Sequence, residues 1–327
     1  MKRLTSILIL KLLLITLAVG AHAQERKGWP TKGVTIGAAP VGGVYYIWAG
    51  GPAKVLTEKM GIPASIESTG GPVHNTQLVD NKELDFGMVT SAPVYEGWTG
   101  TGWAKGKKHQ NVRAVFPMYT TYFHMYALKK SGIKTLKDLD GKIVGTGPVG
   151  GTPATYWPLI FEEAGVKPKR IVNASSSDLD NQLKDGLIHA NAQALGLPWG
   201  LILSAETTHE IVVLGVEDDV ATRFMRKHPY FSKGVIPKGT YKSAPYDIPT
   251  LTLWNFMITH KDMPADFIYE FTKQIFRNKD ILVSVHKSAV EVEPKNILYS
   301  PIPLHPGAIK YYEEIGIRIP KELRPES

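Results

Sequence analysis

Apolar positions along the chain switch repeatedly between two spacings. Short runs at Val34–Ile36, Ile62–Glu67 and Phe86–Val89 have the composition and alternation of strands, and each leads into a segment with helical spacing. The first helical segment carries Tyr45, Trp48, Val55 and Leu56, and Gly50-Gly51-Pro52 is expected to weaken or break it. The second opens at Pro72, a good first helical residue, and the third at Thr90-Ser91-Ala92-Pro93. Val112–Pro117 and Tyr122–Leu128 predict two more strands, the second a candidate bridge between lobes. The alternation then resumes. A strand around Ile143 leads to a helix capped at Thr152 with Pro153 first, expected to kink or start late at Pro158. Ile171–Val172, a serine turn at 175–177 and a helix through Leu179, Leu183 and Leu187 continue it. Ile211–Leu214 predicts a strand, Tyr241–Thr259 a partly extended return, and 265–276, 281–287 and 306–315 closing helices. The class is α/β.

One phrase occurs twice within this pattern. Residues 34–46 contain Pro40-Val41-Gly42-Gly43, residues 142–154 contain Pro148-Val149-Gly150-Gly151, and each follows a β-branched run and precedes a helix. A strand that turns on glycine into a helix exposes unpaired N–H groups backed by the positive end of the helix dipole, a setting that holds anions. Two such turns, one per half, predict two lobes facing each other across a ligand.

At 327 residues the chain has room for two domains with their own cores. Its start reads differently. Met1-Lys2-Arg3, the apolar run 12–20 and Ala21-His22-Ala23 have the order of a secretory signal peptide cut after Ala23, which implies a periplasmic, exported protein. Lys11 interrupts that run and leaves it too short to span a bilayer. There are no cysteines, which excludes disulfides, thiolate metal sites and cysteine nucleophiles. Removing Lys2, Arg3 and Lys11 takes the formal net charge from +8 to +5. The densest basic run, Lys105 to His109, lacks interleaved aromatics and reads as a solvated loop, so no nucleic-acid partner is expected.

Catalytic motifs are weak. Gly145-Thr146-Gly147-Pro148-Val149-Gly150 matches the dinucleotide fingerprint in letters, but Pro148 stiffens the turn and no acidic residue closes the next strand. Gly151-Thr152 stands where a phosphate-binding loop needs Gly-Lys. The histidines are scattered, no pair has metal-ligand spacing, and no nucleophile is paired with a base. The expectation is a protein that is not an enzyme and uses neither cofactor nor metal. Of the aromatic residues beside the turns, Trp48 reads as core, whereas Tyr45 could equally pack under the sheet or wall a cleft.

Several stretches together resemble one family. They are Gly42-Gly43-Val44-Tyr45-Tyr46, Thr69-Gly70-Gly71-Pro72-Val73-His74-Asn75, Leu84-Asp85-Phe86-Gly87-Met88-Val89, Ser131-Gly132-Ile133 with Asp138-Leu139-Asp140-Gly141-Lys142, and Leu304-His305-Pro306-Gly307-Ala308. The chain resembles the TAXI group of solute-binding proteins, which serve tripartite ATP-independent periplasmic (TRAP) transporters. That resemblance implies a type II periplasmic-binding-protein fold, with residues 24–121 and 256–327 in one lobe, 122–255 in the other, and a ligand cleft between. It implies capture of a small organic anion, a carboxylate or amino acid such as glutamate or a 2-oxo or dicarboxylic acid. A monomer would deliver it to the permease subunits of a TRAP transporter. The site residues it implies are Gly43, Tyr45, Thr69, Gly70, Asn75, Thr90 and Ser91 from one lobe, with Gly151, Thr152 and Pro198 from the other. The chain departs from the family at Pro72, His74, Ala92, Val149 to Thr152 and His189. Fewer acids there would favour an anion, and Val149 would add bulk. Two other readings stay open, an exported enzyme on the same scaffold and a sensor reporting its ligand to a membrane receptor.

Overall fold

The structure is a computed structural model that describes residues 28–325, so the expected signal peptide lies outside the described residues. Residues 33–325 form one compact unit, and the described residues before it, 28–32, are mostly turn and bend. Among the described residues no helix is long and apolar enough to cross a membrane.

Ten strands lie in that unit: β1 (Val34–Gly37), β2 (Ala64–Glu67), β3 (Phe86–Thr90), β4 (Val112–Leu128), β5 (Ile143–Gly145), β6 (Arg170–Val172), β7 (Ala190–Leu195), β8 (Ile211–Leu214), β9 (Ser232–Ile236) and β10 (Ile248–His260). They run in the order β2-β1-β3-β10-β4-β7-β5-β6, with β8 also on β4 and β9 also on β10. In one half β1 is parallel to β2 and β3; in the other β5 is parallel to β6 and β7. The long antiparallel pair β4 and β10 joins these groups. Partners change along it: β10 pairs with β9 over Ile248–Thr252 and with β3 over Asn255–Thr259, while β4 takes up β7 from Tyr122. The result is two α/β lobes crossed by two strands.

Helices follow the strands. In the first lobe they are α1 (Val44–Trp48), α2 (Gly50–Lys54), α3 (Pro72–Asp80) and α4 (Ser91–Thr99). In the second they are α5 (Thr152–Glu163), α6 (Ser176–Lys184), α7 (Gly200–Ala205) and α8 (Asp218–Lys227). The chain closes with α9 (Ala265–Arg277), α10 (Lys279–Val285) and α11 (Pro306–Glu314). Because β1, β2 and β3 are parallel, their carboxyl ends and the helix starts after them share one sheet edge, as do those of β5, β6 and β7. Each lobe has an aromatic core. Phe86, Phe116, Phe267 and Phe271 pack together in the first, and Phe123, Trp157, Phe161, Phe224 and Phe231 fill the second. Each such buried ring contributes about 2 kcal/mol from water exclusion.

Several expected elements differ. Val112–Pro117 and Tyr122–Leu128 are one strand of 17 residues. Pro117 pairs with Phe256 at the edge of a register shift in the β10 ladder, between Trp254 and Phe256, the kind of irregularity where proline is tolerated in a strand. The Gly50-Gly51-Pro52 segment does not break the first helical stretch, since Ala49 keeps helical angles (φ −55°, ψ −25°) and α2 starts at once. Pro52 removes one bond of this stretch, while Ala49 N–H to Tyr45 O and Ala53 N–H to Ala49 O carry the helix across the junction. Gly51 lets α10 approach, for a Cβ there would lie 3.2 Å from Leu282. α5 starts one residue earlier than expected, with Gly151 as cap and Thr152 first, and it continues through Pro158. Buried Tyr156, Trp157, Ile160 and Phe161 hold it despite the lost bond. Leu187 lies beyond α6 and is exposed.

Candidate functional site

The two repeated phrases fold into the same turn. Gly43 N–H donates to Pro40 O at 3.1 Å, and Gly151 N–H donates to Pro148 O at 3.0 Å. The third residue is left-handed in both, Gly42 at φ +88° and Gly150 at φ +85°. That is a type II turn, which requires φ > 0 at its third position and so selects glycine there. The fourth residue then caps the next helix in extended geometry, Gly43 at φ −83°, ψ 154° and Gly151 at φ −85°, ψ 155°. Val41 and Val149, second in each turn, point outward and are exposed. Val149 therefore adds no bulk to the cleft, contrary to the sequence-based expectation.

Both turns line one cavity between the lobes, with Pro40, Gly43 and Tyr45 on one side and Pro148, Gly151 and Thr152 on the other. Gly70, Gly71, Pro72 and Thr90 complete the first side; Pro153, Ser176 and Gln193 complete the second; Tyr119 and Thr121 of β4 form the floor. Four helices of nine residues or more start at its wall: α3 capped by Gly71, α4 by Thr90, α5 by Gly151 and α6 by Ser175. None of the lining residues is Asp, Glu, Lys, Arg or His. The donors are therefore helix-start amides and hydroxyls, which favour negative charge without a counter-cation. His189, one of the departures weighed from sequence, lies at the far end of β7 and accepts the Ile143 N–H at 3.2 Å, so it leaves the cleft potential untouched.

The lobes touch across the cavity. Val73 N–H donates to Gly150 O at 3.0 Å, and the Thr90 and Thr152 hydroxyls lie 2.7 Å apart, one donating to the other. The cavity that remains is about 60 Å³, against about 300–1,000 Å³ for pockets that hold small molecules. Outside it a second bridge joins them: Tyr230 Oη–H donates to buried Glu96 Oε1 at 2.6 Å, with the Tyr95 and Tyr230 rings 5.3 Å apart. A larger hollow of about 950 Å³, lined by Trp98, Arg113, Lys261 and Arg324 among others, includes none of the turn residues.

Of the ten residues implied by the resemblance, Gly43, Tyr45, Gly70, Thr90, Gly151 and Thr152 come together at the cavity, whereas Thr69, Asn75, Ser91 and Pro198 do not line it. Thr69 and Asn75 serve the wall from behind. Asn75 Nδ2 donates to Ala38 O and Met88 O at 2.8 Å, Thr69 Oγ1 lies 2.6 Å from Asn75 Oδ1, and Thr69 Oγ1 accepts the Gly71 N–H at 3.1 Å. Tyr45 does both: its ring walls the cavity and its hydroxyl donates to Asn255 Oδ1 of β10 at 2.5 Å. Burial pushes its pKa well above the usual tyrosine value. Trp48, Tyr156, Trp157 and Trp199 are core. Tyr119, Thr121, Ser176 and Gln193 escaped the sequence reading; Asn191 and Gln193 alternating with alanines in β7 were the available signal.

Because the Thr90–Thr152 bond ties the two lobes, Thr152→Val should weaken binding of any ligand held between them about tenfold, the worth of one buried hydrogen bond with its partner left unpaired. Calorimetry should show this with the ligand-free melting point near wild type. Equal affinities would mean that this bond plays no part in closure.

The same fold occurs in solved structures of low sequence identity. MatC from Rhodopseudomonas palustris with bound malate is 14% identical, with a TM-score of 0.58 over 88% of this chain and 97% of MatC. The periplasmic binding protein BugD is 13% identical, with a TM-score of 0.50 over 86% and 88%. A Bordetella bronchiseptica RB50 protein is 17% identical, with a TM-score of 0.50 over 87% and 82%. The architecture is that of the type II periplasmic binding proteins, two α/β lobes with a cleft between them. Within it, the pattern of the NMT1-like family matches residues 36–316, and the chain belongs to that family.

Proposed function

We propose that this is an exported solute-binding protein that captures a small organic anion between its lobes and hands it to a TRAP-type permease of the TAXI kind. The observation that carries this reading is the pair of matching type II turns facing one cavity that carries no charged side chain and whose polar groups, set among apolar walls, are amides and hydroxyls. Such a wall suits a carboxylate, with a 2-oxo acid, a dicarboxylic acid or glutamate as the ligand classes. The malate bound by MatC supports the choice of class. In this reading the lobes comprise residues 24–121 with 256–327, and 122–255, and the hinge lies where β4 and β10 exchange partners. Closure adds donors from the second lobe to a ligand already held by the first, so binding favours the closed form. The closed surface of a monomer is then what the permease subunits meet.

A thermal-shift screen of the purified protein against organic acids, amino acids, neutral sugars and metal ions tests the proposal. An organic acid at about 100 times its Kd should add about 2.7 kcal/mol to stability and raise the melting point. A response confined to sugars or metals would sink the anion assignment. Consumption of the responding compound would replace the binder by an enzyme.

A further inference from the structure

One residue of the cavity floor, Tyr119, carries a buried hydroxyl with nothing to bond. Tyr119 is wholly buried in the middle of β4, contributes to the cavity wall, and its hydroxyl has no hydrogen-bond partner. A buried hydroxyl left unpaired is costly and uncommon in folded proteins. Its neighbours hold the ring firmly. Tyr45 meets it edge-on at 6.3 Å, Trp48 lies tilted at 5.8 Å and His286 stacks at 6.4 Å. On another side Gly196 leaves space for it, since a Cβ at that position would lie 2.7 Å from Cε2 of the ring. The phenol is therefore positioned by packing alone, without help from its own oxygen. Burial, with a smaller push from Glu291, raises its pKa well above the usual tyrosine value. The hydroxyl thus remains a neutral donor at any physiological pH. Its neighbour Tyr45 is the contrast, because that hydroxyl is already committed to Asn255.

We propose that Tyr119 is a ligand-contacting residue whose hydroxyl donates to an oxygen of the bound organic acid from the crossing strand. The inference rests on the solute-binding reading and deepens it. Donors then reach the ligand from three directions: first lobe, second lobe and floor. A ligand offering a carboxylate, oxo or hydroxyl oxygen toward β4 pairs this group. A ligand offering a methylene or an ammonium there leaves it unpaired and is disfavoured.

The test is Tyr119→Phe, measured with the tightest-binding acid from the screen. Removing a ligand donor should raise Kd about tenfold. Removing an unpaired buried hydroxyl should also leave the ligand-free melting point unchanged or higher. Tyr45→Phe, which breaks an existing bond, should lower that melting point. An unchanged Kd for Tyr119→Phe overturns the contact, and so does a lowered melting point of the ligand-free variant, which marks a structural hydroxyl. If wild type binds no acid at all, the solute-binding reading fails and takes this inference with it. A wild type that binds normally beside an unaffected variant sinks the Tyr119 contact alone.

Discussion

Gly70→Ala should give a folded protein that has lost most of its hold on the ligand. Gly70 lies at the cavity wall after β2, and a Cβ built there sits 2.7 Å from the carbonyl oxygen of Val149 in the opposite lobe. No backbone contact tolerates that distance, so one methyl acts as a wedge at the rim. The lobes would stop short of the positions that allow the Val73–Gly150 and Thr90–Thr152 bonds. Losing two bonds of about 1–1.5 kcal/mol each, with water admitted to the cavity, should weaken binding about 100-fold. Parted lobes leave the methyl in open space, so the melting point of the ligand-free protein should stay close to wild type. Titration calorimetry beside a thermal melt separates the two effects. Wild-type affinity in this variant would show that ligand capture does not bring these two turns together.

Asn75→Ala should instead damage the fold. The Asn75 side chain is fully buried and bonds the carbonyls that end β1 and the adjoining Ala38, together with Met88 O of β3 and the Thr69 hydroxyl. Truncation strands several buried acceptors at once, and shared networks cost more than one bond. A loss of about 3–5 kcal/mol is expected in urea unfolding. If stability fell by less than about 1 kcal/mol while affinity collapsed, Asn75 would have to be a ligand contact rather than a brace.

That contrast shows where the sequence was informative. The repeated Pro-Val-Gly-Gly phrase could be read directly because a left-handed third residue and a helix cap leave almost no choice of residue. Gly43 and Gly151, which the family resemblance implied as site residues, end the two phrases, and Thr152 follows the second. Thr69 and Asn75 carry the same polar letters as cavity residues, and nothing in one dimension tells a side chain facing the cavity from one bracing its wall. Tyr119 and Thr121 were missed because Pro117 appeared to end a strand that continues through a register shift. β7 was missed because Ala-Asn-Ala-Gln-Ala-Leu has poor strand propensity, which burial between β4 and β5 overrides. α8 was also overlooked, although its one-sided apolar pattern of Val220, Ala221 and Phe224 was visible.

The contact between Glu96 and Tyr230 has a consequence of its own. It joins the lobes outside the cavity, so under the proposed function its free energy enters the binding constant of every ligand by the same factor. On that reading, substitutions there would set the strength of capture and leave the preference among compounds untouched. Affinity and choice of ligand would then be tuned through separate parts of the molecule.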